Sequence, residues 1–566
     1  MSAIYVPSMI SDIRGLAVRL SGPQPVGTRP NHLTAGRVSF TDSGRTTRVG
    51  HIVPFSCTNL QLLFGNHYVG GWGETPNTDD INVKAAIEYP LGTILPVFFN
   101  GARTVNLQGG CLVKSDPLGI TVQAGVTGTC TDAAATTTSF TTSLTGAANN
   151  AYGGQIIQFT SGANAGVQRY ITQTGFNTAT GAVTVDVAFP SAPANGDAFK
   201  IIPVVYSRCY VSVTGTKQIP VGIGLLGGGS SSPFEGSTTG SDLVDSGTPG
   251  SSVINNYSAV ALLGQPTAGV VPCIALGGDS IMQGTGDPDS NTGNYNGFGV
   301  RALNNQFPFV QLAKSAEQTI HFQNLNGNTR VRRMAIASGC THAIFNYGTN
   351  DLGVRTAAQI EANILEITAA LNAKGMKVFW CTLIPKTSST NGWTDVAGQT
   401  KTGNESVRLA VNAWLRDTSA NGYVAQAGGS SKAGVFDVAS AVEVNASNVL
   451  TQDGGYWKAV AASASGTSSG SNTTTTLNDT SKNWTVNQFV GQYVYITGGT
   501  GAGQTAGYIV SNTATQLTIK SAWPTATPDA TSTYVIANSY TIDGVHPTVN
   551  GHAAMAGAIN TALFTV

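Results

Sequence analysis

Apolar positions in one part of this chain form continuous runs that alternate with a helical repeat. Three continuous apolar runs end in Gly or Pro and predict buried parallel strands: 270–278, 343–348 and 377–385. Between the last two runs, apolar side chains recur on one face of a predicted helix: Ile360, Ile364, Ile367 and Leu371. Gly375 follows at the expected C-cap position, and a second helix at 404–417 leads to another apolar run. Strand and helix therefore alternate, which predicts a three-layer α/β/α domain.

Outside this block the apolar positions alternate in short runs separated by Gly, Pro and Asp turns. This pattern over residues 1–125 and 203–265 predicts an N-terminal β-sandwich that is split in sequence. The Gly- and Ser-rich stretch 224–252 predicts a loop or linker between the sandwich and the α/β domain.

An internal repeat accounts for the remaining segments. GQIIQFTSGANAGVQRYI (154–171) parallels GQYVYITGGTGAGQTAGYI (491–509), and each copy follows a Thr-rich stretch. We therefore expect two copies of one small β-module. The first, 127–202, interrupts the sandwich. The second, 465–537, divides the α/β domain into 266–464 and 538–566.

Composition and charge limit the kinds of molecule that this protein is expected to bind. Lys+Arg and Asp+Glu both number 29, so the formal net charge is zero and gives no electrostatic reason to expect nucleic acid or an anionic membrane. No apolar run reaches the ~18 residues of a membrane span, and the N-terminus lacks the pattern of a secretory signal. The seven cysteines show no C-x-x-C spacing, which argues against a disulfide framework and a zinc site. We expect neither a metal nor a cofactor.

Three short segments carry residues suited to nucleophilic catalysis. GGDSIMQG places Ser280 directly after the first strand of the α/β domain, and NYGTND places Asn350 after a later strand. The carboxyl ends of parallel strands meet at one edge of the sheet, where open α/β folds bind ligands. DGVHP places Asp543 and His546 within one tight turn.

The residue types match the chemistry of a serine hydrolase. A serine hydroxyl needs a base to take its proton, and the histidine pKa suits that role near neutral pH. A carboxylate beside the imidazole fixes its tautomer. Taken alone, each segment also fits a simpler interpretation: a turn at Ser280, a loop at Asn350, and a capped helix start at Asp543 and His546. Their order, spacing and strand context agree with one another, which favours catalysis.

These segments resemble the conserved blocks of the SGNH (GDSL-type) hydrolases. The resemblance covers about 266–464 and 538–566. It implies a flavodoxin-like α/β/α fold that hydrolyses acyl esters without a metal. It further implies that Ser280 is the nucleophile, His546 the base and Asp543 its orienting acid. The Ser280 backbone N–H and the Asn350 amide then belong to the oxyanion hole.

The chain departs from the family pattern at one position. The family has a glycine that donates its backbone N–H to the oxyanion, and the spacing of FVQLAKSAEQT (309–319) puts Ala316 there. Alanine keeps the N–H and adds a methyl group. Gly327, in NLNGNT, is the alternative donor.

The arrangement of β-modules and sandwich before an esterase domain resembles modular virion proteins of tailed bacteriophages, such as tail fibres and tail spikes. That resemblance implies a virion location, phage structural proteins as partners, homotrimers, and removal of acyl groups, O-acetyl above all, from a surface polysaccharide. A secreted bacterial carbohydrate esterase and an inactive structural or receptor-binding virion protein are the alternatives. Trp393 follows a strand at the expected edge and is a candidate for substrate contact, as is the insert 465–537.

Overall fold

The structure is a computed structural model of the whole chain. It describes residues 22–27, 36–70, 73–222, 234–250, 256–287, 297–303, 306–323 and 329–566. Among these residues, no helix combines the length and the apolar character that a membrane crossing requires.

Five parallel strands form the central sheet: β1 (Ile274–Gly278), β2 (Phe309–Gln311), β3 (His342–Asn346), β4 (Lys377–Cys381) and β5 (Ala433–Phe436). Their order across the sheet is β2-β1-β3-β4-β5, which is the order of the flavodoxin-like fold. Every residue of β1 and β3 is buried, as their continuous apolar character predicts. The strand order reverses between β1 and β3, so a binding crevice is expected at their carboxyl ends.

Helices cover both faces of this sheet. Those in the described residues are α1 (Ser280–Gln283), α2 (Phe298–Leu303), α3 (Thr319–Gln323), α4 (Thr329–Ile336), α5 (Ala357–Asn372), α6 (Glu405–Arg416), α7 (Tyr423–Gln426) and α8 (Val549–Gly557), with single 3-10 turns at Ala439–Ala441 and Thr561–Leu563. Helices α5, α6 and α7 pack in one core cluster, and α1, α2 and α8 pack in another on the opposite face. A capping box formed by Thr356 and Gln359 starts α5, and its four predicted core residues are fully buried. The chain therefore has the three layers of an α/β/α domain.

The N-terminal region is built from two antiparallel sheets that enclose one core. One sheet contains Gln24–Pro25, Cys57–Gly65, Leu112–Lys114, Leu118–Val122 and Ala261–Pro266. The other contains Gly44–Ile52, Ile81–Glu88, Ile94–Val97, Thr104–Leu107, Val204–Ser212 and Gly236–Thr239. Two-stranded ladders join Gly36–Thr41 to Thr216–Val221 and His67–Val69 to Glu74–Pro76. Part of the stretch expected to be a linker is thus a strand, because Gly236–Thr239 pairs with the edge of Gly44–Ile52. Residues 224–233 and 251–252 of that stretch lie outside the described residues.

The two repeated segments form sheets of the same topology. The first contains, in chain order, Thr127–Thr129, Ser139–Thr141, Ile156–Phe159, Gln168–Asn177, Ala182–Val185 and Ala198–Ile202. The second contains Ala464–Thr467, Thr476–Asn478, Tyr493–Gly498, Gly507–Asn512, Gln516–Ile519 and Thr533–Ala537. When the strands of each are numbered from one to six, both sheets have the order 1-6-3-4-5-2. Each segment also has its own core.

The second of these sheets packs against the α/β domain. Tyr493 and Tyr495 belong to the same buried cluster as α2 and α8. Two short ladders lie nearby, Thr387–Ser389 with Gln399–Lys401 and Glu443–Val444 with Tyr456–Trp457. The insert therefore contributes side chains to the hydrophobic core beside the sheet edge where Ser280 lies.

Candidate active site

Ser280 lies at the first position of α1, directly after β1. Asp279 caps this helix, because its side chain accepts a hydrogen bond from the Ile281 N–H at 3.0 Å. The Ser280 N–H lies in the first turn, where a backbone N–H has no partner within the helix. Ser280 itself is 6% exposed. The strand-to-helix turn thus holds the hydroxyl and a backbone donor at the carboxyl edge of the sheet.

Asp279 is a buried carboxyl behind this serine. Burial is the main reason that its pKa is raised to about 7, and the charges of Asp351 and Glu317 act in the same direction. One of its oxygens, Oδ2, has no hydrogen-bond partner among the described residues. Its structural role is to cap α1 and so fix the Ser280 backbone.

Asp543 and His546 share one tight loop before α8. Asp543 Oδ1 accepts hydrogen bonds from the N–H groups of Val545 and His546 at 2.9 and 2.8 Å. Its other oxygen, Oδ2, lies 2.8 Å from His546 Nδ1. Because a carboxylate only accepts, Nδ1 carries the proton and Nε2 is the accepting nitrogen. The spacing of three residues therefore fixes both the orientation and the tautomer of the imidazole.

The structure brings Ser280, Asp543 and His546 together in one hydrogen-bonded chain. Ser280 Oγ lies 2.8 Å from His546 Nε2, although the two residues are 266 positions apart in sequence. The Asp543 and His546 side chains each remain 23% exposed. This is the geometry in which a histidine can accept the proton of a serine hydroxyl.

Electrostatics favour the ionised carboxylate and a basic imidazole. Burial by itself lowers the pKa of His546, but the hydrogen bond and charge of Asp543 outweigh it, so this pKa lies above 6.5. Burial likewise raises the pKa of Asp543, but the hydrogen bond and charge of His546 and two backbone N–H groups outweigh it, and this pKa lies below 3.8. The pair is thus arranged to stabilise an imidazolium once a proton has been taken up.

Gly544, between Asp543 and His546, is held by two hydrogen bonds to its carbonyl. Thr387 N–H donates to it at 3.0 Å and Trp457 Nε1 donates at 2.8 Å. Gly544 has a φ of +85°, and a Cβ at this position would overlap the Thr387 carbonyl oxygen. The insert also holds this loop, because the Tyr495 hydroxyl donates to the Thr541 carbonyl at 2.6 Å. Sequence reasoning missed Trp457 and Tyr495, since neither lies in a motif.

The loop after β2 lies beside Ser280. Lys314 N–H donates to the Gly278 carbonyl at 2.9 Å, and Ser315 N–H donates to Gln283 Oε1 on α1 at 2.9 Å. Ala316 follows at the exposed tip with a φ of +68°. This is the left-handed region that glycine favours, so the backbone keeps a glycine conformation although the residue is alanine.

Asn350 reaches the same loop from the end of β3. Its Nδ2 donates to the Glu317 carbonyl at 3.1 Å, and an amide nitrogen has a second hydrogen to donate. Asp351 holds the far side of the loop by accepting from Thr319 N–H and Oγ1 at 3.0 and 2.7 Å. The predicted oxyanion residues Ala316 and Asn350 are therefore brought together through Glu317. The alternative donor, Gly327, lies outside the described residues.

Trp393 is buried, whereas a residue that contacts substrate has to be exposed in the site. It is 7% exposed, and its Nε1 donates to Thr387 Oγ1 at 2.8 Å. Its ring packs beside Tyr495, with 5.8 Å between centroids, and a Cβ on Gly544 would lie 2.8 Å from its Cζ2. The prediction that Trp393 contacts substrate is therefore corrected: the side chain packs beneath the Asp543–His546 loop because its large apolar surface is covered by the insert.

Within the part of the chain that the structure describes, no group of three or more His, Cys, Asp or Glu side chains is arranged to hold a metal ion. The site is instead assembled from a hydroxyl, an imidazole, a carboxylate and amide donors.

Residues 276–428 match the family model of the GDSL-like Lipase/Acylhydrolase family. The chain contains a GDSL-type hydrolase domain. The match includes Ser280, Ala316 and Asn350 but ends before Asp543 and His546, which follow the insert. The hydrolase domain lies within a chain whose remaining described elements are mainly strands.

Solved structures give distant matches to this chain. A GDSL-like lipase from Bacteroides thetaiotaomicron is 16% identical and has a TM-score of 0.20, covering 33% of this chain and 79% of that one. A protein from Bacillus subtilis is 12% identical with a TM-score of 0.23, covering 69% and 68%. An acetylxylan esterase catalytic mutant from Geobacillus stearothermophilus is 11% identical with a TM-score of 0.21, covering 30% and 77%. These values are too low to bear on substrate or mechanism. A comparison with curated proteins finds no match.

Proposed function

We propose that this protein is a serine esterase in which Ser280, His546 and Asp543 form the catalytic triad. The observation that carries the proposal is the continuous chain of two 2.8 Å hydrogen bonds, from Ser280 Oγ to His546 Nε2 and from His546 Nδ1 to Asp543 Oδ2. A serine used only in a turn has no need of a histidine whose second nitrogen is fixed by a carboxylate.

In the first half of the reaction, His546 Nε2 takes the proton of the Ser280 hydroxyl as Oγ bonds to the ester carbonyl carbon. The carbonyl electron pair moves to the oxygen, which becomes negatively charged. When the tetrahedral intermediate collapses, His546 gives its proton to the alcohol oxygen, the ester C–O bond breaks and an acyl-serine remains. Asp543 stabilises the imidazolium throughout without taking the proton itself.

Three donors stabilise the negative oxygen in this proposal. They are the Ser280 N–H at the start of α1, the Ala316 N–H and the second hydrogen of Asn350 Nδ2. Preorganised donors of this kind stabilise the transition state more than the ground state, and removing one costs about 100- to 1,000-fold in kcat in well-studied cases.

In the second half, water replaces the alcohol. His546 takes a proton from water as its oxygen attacks the acyl carbon, and it returns that proton to Ser280 Oγ when the acyl–oxygen bond breaks. A carboxylic acid leaves and the triad returns to its starting state. No redox change and no second substrate other than water are needed.

The test of this proposal is hydrolysis of p-nitrophenyl acetate and of longer acyl esters by wild type, Ser280→Ala and a matched Ser338→Ala control. Ser338 is exposed and lies in the turn before β3, at the opposite sheet edge. We expect activity in wild type and Ser338→Ala and a loss of at least about 1,000-fold in Ser280→Ala. A folded wild-type protein without activity on any chain length would favour the inactive scaffold.

For the substrate, we propose short acyl groups, O-acetyl first among them, carried on a polysaccharide. The support is the partial exposure of the acid and the base: the Asp543 and His546 side chains are each 23% exposed, so this side of the site can be reached from solvent, as an acyl group on a large polymer requires. Acetate release from acetylated polysaccharides should exceed release of fatty acids from lipid esters. The reverse order would overturn this part of the proposal and leave the esterase intact.

The proposed location, a phage virion with phage structural proteins as partners, is supported by sequence features only. Mass spectrometry of purified virions and the neighbouring genes would test it. A secreted bacterial carbohydrate esterase remains the competing interpretation, and detection of the protein in culture medium without phage genes would favour it. Light scattering would test the proposed trimer.

A further inference from the structure

A buried cluster of charged side chains lies beneath the loop that carries Ala316. Arg333, on α4, donates from Nη1 and Nη2 to the two carboxylate oxygens of Glu317 at 2.7 and 2.6 Å. Tyr347, directly after β3, donates its hydroxyl to the same carboxylate at 3.0 Å. The Arg333, Glu317 and Tyr347 residues are fully buried. A guanidinium so far from water requires carboxylates to balance its charge.

The second carboxylate of this cluster comes from the N-terminal β-region. Arg333 Nε donates at 2.6 Å to Glu74 Oε1, 259 residues away in sequence. The Glu74 side chain is fully buried. Its N–H donates to Thr329 Oγ1 at 2.9 Å, and its carbonyl accepts from Arg332 Nη1 at 3.4 Å. Both its backbone and its side chain are therefore fixed against α4.

Retaining Glu74 in this position carries an energetic cost. Its Oε2 atom is buried without a hydrogen-bond partner among the described residues, and buried unpaired polar atoms destabilise a fold. Burial raises the pKa of this carboxyl, although the charge and hydrogen bond of Arg333 oppose that shift. Apolar residues in place of the whole group of Glu74, Arg333 and Glu317 would avoid the cost, so a role beyond packing is indicated.

Glu317 connects this cluster to the oxyanion donors. Its backbone directly follows Ala316, and its carbonyl accepts from Asn350 Nδ2 at 3.1 Å. A shift of the Glu317 backbone would displace the adjoining Ala316 and weaken the hydrogen bond from Asn350 Nδ2. We infer that Glu74 is a positioning residue of the esterase: by fixing Arg333 it fixes Glu317, which orients the Ala316 and Asn350 donors. The inference rests on the proposed function and extends it to a residue outside the hydrolase domain.

Substitution of Glu74 should affect the transition state more than substrate binding. Glu74→Ala leaves Arg333 Nε without an acceptor, so Arg333 and the bound Glu317 carboxylate shift together. Because the oxyanion donors act mainly as charge develops, we expect kcat to fall about tenfold or more while KM changes less than about twofold. Glu74→Gln keeps an accepting oxygen for Arg333 Nε and should restore kcat to within about threefold of wild type.

The experiment measures kcat per active site in the full chain, with p-nitrophenyl acetate as substrate. Active sites are counted with an organophosphonate ester that bonds covalently to the serine. The matched control is Glu366→Ala, because Glu366 pairs with Arg330, also on α4, at 2.8 Å but is 53% exposed. A purely structural role of Glu74 would lower the number of titrated sites and leave kcat per site unchanged.

Lowered kcat per titrated site in Glu74→Ala, recovery in Glu74→Gln and a wild-type value in the control would support the inference. An unchanged kcat per site in Glu74→Ala would overturn it. If Glu74→Ala does not fold, Glu74→Asp replaces it, because its carboxylate is one methylene shorter and lies farther from Arg333. Glu74→Asp must then show the same loss of kcat per titrated site, and a wild-type value in that variant would also overturn the inference. An inactive wild type would instead overturn the proposed function.

Discussion

Gly544 offers the sharpest test of how the Asp543–His546 loop is held. It separates Asp543 from His546, has a φ of +85°, and a Cβ there would overlap the Thr387 carbonyl oxygen and lie 2.8 Å from Trp393 Cζ2. Neither obstacle can move easily, because one is backbone and the other is a buried ring. Gly544→Ala must therefore displace the loop itself.

The size of the effect follows from what this displacement breaks. An alanine in left-handed backbone costs about 1–2 kcal/mol. The shift also weakens the hydrogen bonds from Thr387 N–H and Trp457 Nε1 to the Gly544 carbonyl, about 1 kcal/mol each. The loop conformation thus loses about 3–4 kcal/mol of its preference. A displacement of His546 by about 1 Å from Ser280 lowers the rate about 100-fold.

Gly375 provides the matched control. Its φ is +83°, almost that of Gly544, but a Cβ there would meet nothing within 4 Å. Gly375→Ala therefore carries the backbone cost alone, in the turn before β4, at the sheet edge opposite Ser280. We expect kcat/KM on p-nitrophenyl acetate to fall about 100-fold in Gly544→Ala and less than about twofold in Gly375→Ala. Equal activity in the two variants, both folded by circular dichroism, would refute the argument that the contacts around Gly544 place the histidine.

Two further predictions concern His546 and the loop that carries Ala316. The proposed mechanism needs neutral His546, whose pKa is raised above 6.5, so kcat/KM should fall as pH drops through a value above 6.5. Asp543→Asn should lower that value and reduce kcat about 10,000-fold. A pH-stat assay would measure both effects, and an acid limb of the pH profile that does not shift would contradict the pairing of Asp543 with His546. Ala316→Gly relieves the cost of a φ of +68° but increases the conformational entropy of the unfolded chain. Urea unfolding of the hydrolase domain should therefore show a net stabilisation of about 0.5–1 kcal/mol, with kcat within about twofold of wild type. A destabilised variant would exclude backbone strain at this position.

Local sequence patterns predicted the parts of this fold that depend on near neighbours. The face formed by Ile360, Ile364, Ile367 and Leu371 fixed the register of α5, because helical periodicity places those four side chains on one side. The loop bearing Asp543 and His546 was equally accessible from sequence, since a spacing of three residues lets one carboxylate bind both the imidazole and the backbone. These features need no knowledge of distant contacts.

Contacts between segments far apart in sequence could not be predicted from local patterns. Trp457 binds Gly544 across 87 residues, and no periodicity or motif marks that pairing. Trp393 shows the opposite error, a contact that was predicted and does not form. Its position after a strand suggested that the side chain lies at an open sheet edge, but the insert covers this side chain. A single sequence does not reveal which surface a later domain will bury, so exposure at such positions cannot be predicted from local pattern.

The two halves of the candidate site are each held by a different β-rich part of the chain. On the oxyanion side, Glu74 reaches Glu317 through Arg333. On the side of Asp543 and His546, the insert donates from the Tyr495 hydroxyl to the Thr541 carbonyl and from the Ala506 N–H to the Ile542 carbonyl, directly before Asp543. A domain attached only to bind a ligand would not need hydrogen bonds to the backbone directly before Asp543. The β-rich regions are therefore part of the framework that sets the geometry of the candidate site.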